Sequence, residues 1–321
     1  MGESSTMHIV CATDHNYVMP AGIMMSSLSY NNRSSEIKFY VLIDRTVTDT
    51  DKAKLQKSMK YSEHKVDFLY IDNSKFLDYP GLHREGVHQT AAAYDRLFLP
   101  KVMPASVDKV LYLDDDILVR GDLRKLWNTD ISDYPIAAVT DMSEAVLDYN
   151  RLGYPPKDGY FNSGVVLINL KYWREYNVIK TFIDIICNHS NCIYAHDQDV
   201  LNIVFHDKKL TLPFIYNVQH GFYFKNEYIA LDYRKYKEEL EDARHNPVIQ
   251  HFTGKKPWKI NCQNPGAKSF LKYLRHSPWK FYIRKGWEEP WIRTKIGNIL
   301  RSLNIIPPKN YSAYIKEYRP D

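Results

Sequence analysis

Three consecutive carboxylates interrupt an apolar run in YLDDDILV, residues 112–119. Adjacent acids beside a core repel one another and are costly to bury unless something neutralises them. A divalent cation does so. Side chains alternate along an extended segment, so Asp114 and Asp116 point to one side and can share an ion. Asp115 points the other way, toward a position where it could meet a hydroxyl. Oxygen ligands favour a hard ion such as Mn²⁺ or Mg²⁺. An acidic turn at a strand end needs no metal, so the string alone leaves both readings open. A second candidate is HFTGKKPW, residues 251–258. His251 ends a run with strand character, Gly254 permits close backbone approach, and Lys255 and Lys256 offer charge for a diphosphate. A third is ATDHNY, residues 12–17, where Asp14, Asn16 and Tyr17 follow a short apolar run and offer hydrogen bonds and a ring face. Neither GxxxxGK(S/T) nor GxGxxG occurs, which removes the main support for a P-loop or dinucleotide fold.

These segments need a scaffold that brings strand ends together. Residues 8–13, 39–43 and 66–71 read as buried strands, alternating with helical patterns at 18–30 and 50–60. That alternation is the signature of a parallel sheet, and ligands bind beyond the carboxyl ends of its strands. Residues 89–99 read as a helix stopped by Pro100 and Pro104. Residues 109–114, 136–141 and 164–170 read as further core strands, 172–190 and 197–206 as helices, 211–224 as an aromatic loop, and 246–252 as a last core strand. The expected architecture is α/β: a single domain over 7–267 with a mostly parallel central sheet, and an appendage over 268–321.

Six strings occur in order: ATDHNY, AAAYDRL, YLDDDILV, FNSGVVLINL, AHDQDVLN and HFTGKKPW. Together, over residues 8 to about 262, they resemble the ordered motifs of the family 8 retaining glycosyltransferases. That group contains lipopolysaccharide α-galactosyltransferases and, more distantly, glycogenin. The resemblance implies a GT-A, Rossmann-like nucleotide-sugar-binding fold, with UDP-galactose or UDP-glucose as donor and Mn²⁺ (or Mg²⁺) as cofactor. It implies Asp114, Asp116 and His251 as metal ligands, and Ala12, Thr13, Asp14, Asn16 and Tyr17 around the uridine. Arg96 is implied as a donor contact, with Asp115, Asp141 and Asn162 beside the donor and Gly254 and Lys256 at the diphosphate. Asp197, Gln198 and Asp199 are the implied catalytic group. Gln198 would sit below the anomeric carbon, where a neutral amide is a poor nucleophile. Retention then favours front-face attack, with Asp199 the nearest carboxylate for the alternative double displacement.

The chain's 321 residues suit one large domain plus an appendage, and a formal net charge of +5 makes it no polyelectrolyte. Four cysteines, Cys11, Cys187, Cys192 and Cys262, fit no zinc spacing and no disulfide scaffold, which points to a reducing compartment. The start lacks the regions of a signal peptide, and no apolar run reaches the ~20 residues needed to span a bilayer. Beyond residue 268 the chain turns basic and aromatic. Between Trp291 and Leu303 the apolar residues share a helical face, as in an interfacial helix on an anionic membrane or a helix packed on the main domain with a solvated basic face. The expected place is therefore the cytoplasm, at the inner face of the membrane, with a saccharide or lipid-linked oligosaccharide as acceptor. The rivals are a metal-dependent UDP-sugar hydrolase or nucleotidyltransferase, and a nucleic-acid-binding protein using the basic tail. The last leaves the acidic cluster unexplained, so no nucleic-acid partner is expected.

Overall fold

A computed structural model describes residues 6–61, 64–72, 91–142, 147–223, 233–260, 262, 264–284, 299–300 and 303. The chain opens with β1 (Met7–Thr13), α1 (Val18–Asn31), β2 (Ile37–Ile43), α2 (Asp49–Ser58) and β3 (Lys65–Tyr70). β1 and β2 are almost wholly buried, as continuous apolar strands covered on both faces should be. α1 is buried from Val18 through Ser29, so its pattern is apolar nearly all round rather than amphipathic. A capping box starts α2: the Asp51 amide donates to Thr48 Oγ1, and the Thr48 amide donates to Asp51 Oδ2.

Residues Ala91–Phe98 wind as a 3₁₀ helix and pass into a single α turn, α3 (Leu99–Val102). Pro100 does not stop this segment. It occupies the first turn of α3, where its missing amide has no intrahelical partner to lose. Next come β4 (Lys109–Leu113), β5 (Ile117–Val119), α4 (Arg124–Trp127), β6 (Ile136–Thr140), α5 (Tyr149–Leu152) and β7 (Phe161–Asn169). The expected helix over 172–190 is two helices, α6 (Leu170–Glu175) and α7 (Val178–Asn188). They are broken at Asn177, whose φ of 46° lies in the left-handed region that Asn tolerates. The chain continues through α8 (His196–Phe205), β8 (Lys209–Thr211), β9 (Val218–Gln219), α9 (Tyr233–His245), β10 (Ile249–His251) and α10 (Ala267–Arg275).

Seven strands form the main sheet in the order β3-β2-β1-β4-β7-β6-β8. Its pairings are parallel except where β7 runs antiparallel to β4 and β6. The chain builds outward from β1 to β3, then returns to place β4 on the other side of β1. That reversal leaves a crevice beyond the carboxyl ends of β1 and β4. Because β7 is antiparallel, its first residues lie at the same end, and the Asp114 amide donates to the Gly164 carbonyl at 2.9 Å. The expected last core strand is β10, but it belongs to a separate three-stranded sheet, β5-β10-β9. The acidic turn is the bridge between the two sheets: β4 ends before it, and β5 begins after it.

One apolar cluster covers each face of the main sheet, with Ile9 and Cys11 in one and Val10 in the other. A third joins Met19, Ile23 and Leu118 to Phe252, Trp258, Phe270 and Leu274. α10 (Ala267–Arg275) and Trp279 therefore pack onto the body of the fold. A Cβ on Gly22 would stand 2.2 Å from Trp279 Cζ3, so α1 leaves room there for the Trp279 ring. Most of the expected interfacial helix, Trp291–Leu303, lies outside the described residues. Among the described residues, no helix is long and apolar enough to cross a membrane. All four cysteines are free thiols.

Candidate active site

A cavity of about 460 Å³ opens in the crevice between β1, β4 and β7. Its wall takes in Ala12, Thr13, Asp14 and Tyr17 from β1 and its loop, Arg96 from the 3₁₀ helix, and Asp114, Asp115 and Asp116 from the acidic turn. Asn162 comes from β7, Asp197 and Gln198 from α8, and His251 and Lys256 from β10 and its loop. Thirteen of the expected residues thus meet in one cavity. Asn16, Asp141, Gly254 and Asp199 do not line it. Asn16 and Gly254 are exposed, and Asp141 sits behind Asn162 and Gln198.

The second sheet delivers the imidazole. β10 pairs antiparallel with β5, His251 opposite Ile117, and the Phe252 amide donates to the Asp116 carbonyl at 2.9 Å. His251 Nε2 stands 3.0 Å from Asp116 Oδ1 and 3.7 Å from Asp114 Oδ2, and one ligand atom from each of the three residues falls within 4.8 Å of the others. Ligands on adjacent corners of an octahedral ion, at about 2.1 Å from it, stand about 3 Å apart, so this donor set fits a divalent cation. His251 Nδ1 lies 2.9 Å from Asn217 Oδ1, a contact that would keep the proton on Nδ1 and free the Nε2 lone pair for a bound ion. Asn217 Nδ2 in turn donates to Asn162 Oδ1 at 2.8 Å. The absence of a side chain at Gly164 is part of the same cradle. A Cβ there would lie 2.2 Å from His251 Cε1 and 2.6 Å from Asp114 Oδ2.

Cations already balance these acids. Arg96, 6% exposed, donates from Nη2 to Asp114 Oδ1 at 2.8 Å and from Nη1 to the Ser163 carbonyl at 2.7 Å. Its Nε lies 3.1 Å from Asp197 Oδ2, but donates instead to the Ala93 carbonyl at 3.2 Å. The Asp197 contact is therefore an ion pair without hydrogen-bond geometry, in keeping with that oxygen's lack of a hydrogen-bond partner. Burial opposes the Arg96 charge, and the Asp114 and Asp197 carboxylates more than offset it, so the pKa rises and the group stays a cation. Lys256 Nζ donates to Asp116 Oδ2 at 2.5 Å and to the Phe252 carbonyl at 2.7 Å. Burial alone would raise the pKa of Asp116, but Lys256 and His251 hold it well below the carboxylate range. Asp115 behaves oppositely: burial, with Asp114, Asp116 and Asp14 adding to it, pushes its pKa well above that range. Its Oδ1 is buried without a hydrogen-bond partner, poised for a polar group from a ligand. Burial also lifts Asp197, to about 6, against the pull of Arg96.

At the far side of the cavity, Gln198 Oε1 accepts from Asn162 Nδ2 at 3.1 Å and from the Ser163 amide at 3.0 Å. Gln198 Nε2 and Asn162 Nδ2 both donate to Asp141 Oδ2, at 3.2 and 2.9 Å. Asp14 has a local task as well, since its Oδ1 accepts from the Asn16 and Tyr17 amides at the entry to α1. Tyr17 is 42% exposed and edge-on to Trp258. Of the two lysines, Lys256 and not Lys255 lines the cavity. Gly254 matters by absence: a Cβ there would come within 2.7 Å of the His220 ring. The expected catalytic Asp199 is 0% exposed and turned away. It accepts from Arg151, Tyr160 and two backbone amides, so its carboxylate is spent on the fold rather than offered to the cavity. Asn217, which orients His251, carried no sequence signal, since it lies in a stretch that reads as aromatic loop.

Similarity to known proteins agrees with this arrangement. The family model described as "Glycosyl transferase family 8" matches residues 8–262. General stress protein A of Bacillus subtilis is 31% identical over 289 residues, covering 87% of this chain and 96% of the relative. The lipopolysaccharide 1,2-glucosyltransferase of Escherichia coli K12 is 28% identical over 282 residues, 86% of this chain and 80% of its own length. Among solved structures, the galactosyltransferase LgtC, in complex with donor and acceptor sugar analogues, superposes with a TM-score of 0.76 at 26% identity. That match covers 86% of this chain and 100% of LgtC. The seven-stranded sheet with its bridging acidic turn is thus the GT-A fold, and this chain belongs to glycosyl transferase family 8.

Proposed function

We propose that this glycosyltransferase moves galactose or glucose from the corresponding UDP-sugar to a saccharide acceptor, with retention at the anomeric carbon and dependence on Mn²⁺ or Mg²⁺. The observation that carries the reading is the convergence, in one cavity, of the Asp114–Asp116–His251 donor set with the cations Arg96 and Lys256 and a carboxamide cluster. The relatives named as a glucosyltransferase and a galactosyltransferase support a hexose donor.

Asp114, Asp116 and His251 would hold the ion, which when bound neutralises the diphosphate and stabilises charge on the departing UDP. Arg96 and Lys256 add fixed positive charge on either side of the acids. Tyr17 offers a ring face for the uracil and Asp115 a partner for a ribose hydroxyl. Asn162, Gln198 and Asp141 form a mutually bonded set suited to holding sugar hydroxyls in one orientation. Gln198 is neutral, Asp197 is paired with Arg96, and Asp199 faces away from the cavity. No uncommitted carboxylate therefore waits beneath the sugar among the described residues. This supports front-face displacement. The bond from the anomeric carbon to the phosphate oxygen breaks, and the acceptor oxygen bonds to that carbon from the same side. Its proton passes to the departing phosphate oxygen.

Proton NMR of the first-formed glycoside tests the reading, with UDP-galactose and UDP-glucose supplied separately. A small axial–equatorial coupling from an α-linked donor is expected, and a β-linked product rejects retention. Turnover that is no faster with any saccharide acceptor than with water would identify a hydrolase instead. We place the acceptor on a lipid-linked oligosaccharide and the enzyme at the inner face of an anionic membrane, held there by basic and aromatic residues beyond Arg284.

A further inference from the structure

The cavity wall formed by Tyr194, Ala195, His196, Asp197 and Gln198 has little regular structure to hold it. α8 begins only at His196, and that residue has a φ of 51°, a left-handed conformation unusual for a non-glycine residue. Such a backbone persists only where its surroundings hold it. The holder is Asp199, one turn into the helix. Its Oδ2 accepts from the Tyr194 amide at 2.6 Å and from the Ala195 amide at 2.7 Å. The same oxygen accepts from Arg151 Nη1 at 2.7 Å, while Oδ1 accepts from Arg151 Nη2 at 3.2 Å and from the Tyr160 hydroxyl at 2.8 Å. Arg151 also donates to the Cys192 carbonyl and lays its guanidinium 4.4 Å from the centre of the Tyr194 ring. One buried ion pair therefore grips the wall at Cys192, Tyr194 and Ala195, the last two lining the cavity just before Asp197 and Gln198.

We infer that Asp199 and Arg151 are positioning residues, setting the Tyr194–Gln198 wall against the transferred hexose without touching it. This rests on the donor reading above. Asp199 holds the backbone amides through its carboxylate, and Arg151 holds that carboxylate in the one orientation that reaches both. The Asp114, Asp116, His251 and Lys256 groups stand on other elements and, among the described residues, meet this wall only through Arg96, which reaches Asp197, and Asn162, which bonds Gln198. The pair thus governs recognition of the hexose and leaves the grip on UDP alone.

The test compares wild type with Arg151→Met, Asp199→Asn and the double variant Arg151→Met/Asp199→Leu in the full chain. Calorimetry measures UDP and each UDP-hexose in the presence of Mn²⁺. Breaking one half of a buried ion pair destabilises strongly, whereas replacing both halves with apolar groups often does not. The double variant should therefore melt closer to wild type than either single variant. In all three, UDP affinity should stay within about threefold of wild type. The preference for UDP-hexose over UDP should fall at least tenfold, because the two amides lose their acceptor in the double variant, keep only a neutral one in Asp199→Asn, and keep one no longer held in place in Arg151→Met. A double variant that regains both the melting temperature and the hexose preference would show the pair to be structural only. Loss of preference in Asp199→Asn with none in Arg151→Met would mean that the carboxylate itself meets the sugar. Wild type that binds UDP-hexose no better than UDP overturns the inference too. Wild type that shows the preference but forms no glycoside rejects only the transfer reading.

Discussion

Replacing Gly164 with alanine should disable metal-dependent UDP binding while leaving the fold intact. The new Cβ would lie 2.2 Å from His251 Cε1, 2.9 Å from His251 Nδ1 and 2.6 Å from Asp114 Oδ2. Comfortable carbon–carbon contact begins at about 3.5 Å, so the ring must retreat by about 1.3 Å or the β7 backbone must give way. Neither is easy. His251 is fixed by strand pairing on both sides and by Asn217, and Asp114 is held by Arg96 and by the Gly164 carbonyl itself. Functional groups must stay within about 0.5 Å of their working positions, and a misplacement of about 1 Å can lower a rate by about 100-fold. That factor corresponds to about 2.7 kcal/mol. Overpacking costs the fold about 1–3 kcal/mol. Gly164 has no left-handed φ, so the substitution adds contact strain and no backbone strain. Titration calorimetry with UDP and Mn²⁺, alongside thermal unfolding, should show an affinity loss on the order of 100-fold with a melting temperature lowered by only a few degrees. Wild-type affinity in the folded variant would refute the joint placement of Asp114 and His251 on one ion.

Three further outcomes are expected. Asp114→Ala and Asp116→Ala should each abolish Mn²⁺-dependent UDP binding, and calorimetry showing unchanged affinity in either would remove that residue from the ligand set. Burial, reinforced by Lys256 and Lys255, lowers His220 from 6.5 to about 4, so the folded protein keeps this ring neutral while the unfolded chain protonates it. Stability should then fall as pH drops from 6.5 toward 4, by up to about 3 kcal/mol from this group, and His220→Gln should flatten that limb of the melting curve. Truncation after Arg284 should reduce co-sedimentation with anionic vesicles and leave the melting temperature near that of wild type. Truncation after residue 268 should also destabilise the fold, because Phe270 and Leu274 are buried against Phe252 and Trp258. Equal melting temperatures for the two truncations would contradict that packing.

Local rules were enough to find the strand ends. An apolar run that can only be buried, followed at once by acids that cannot be, marks where β4 leaves the sheet, and the period of two puts Asp114 and Asp116 on one side. The alternation of strands and helices likewise set the parallel half of the sheet and the crevice beyond it. Tertiary structure alone decided which residues meet there. His251 reaches Asp116, 135 positions away in the chain, because β10 pairs with β5 in a second sheet that its short apolar run could not announce. Arg96 pairs with Asp114 and Asp197, 18 and 101 positions away, because the 3₁₀ helix packs against β1 and α8. Asp197, Gln198 and Asp199 stand in the sequence as one candidate catalytic group. Successive helical residues point about 100° apart, so α8 can offer Asp197 and Gln198 to the cavity only by turning Asp199 into the core, where Arg151 meets it. Sequence spacing carries the identity of a side chain. Its direction depends on where the helix starts and on what packs behind it, and both come from residues distant along the chain.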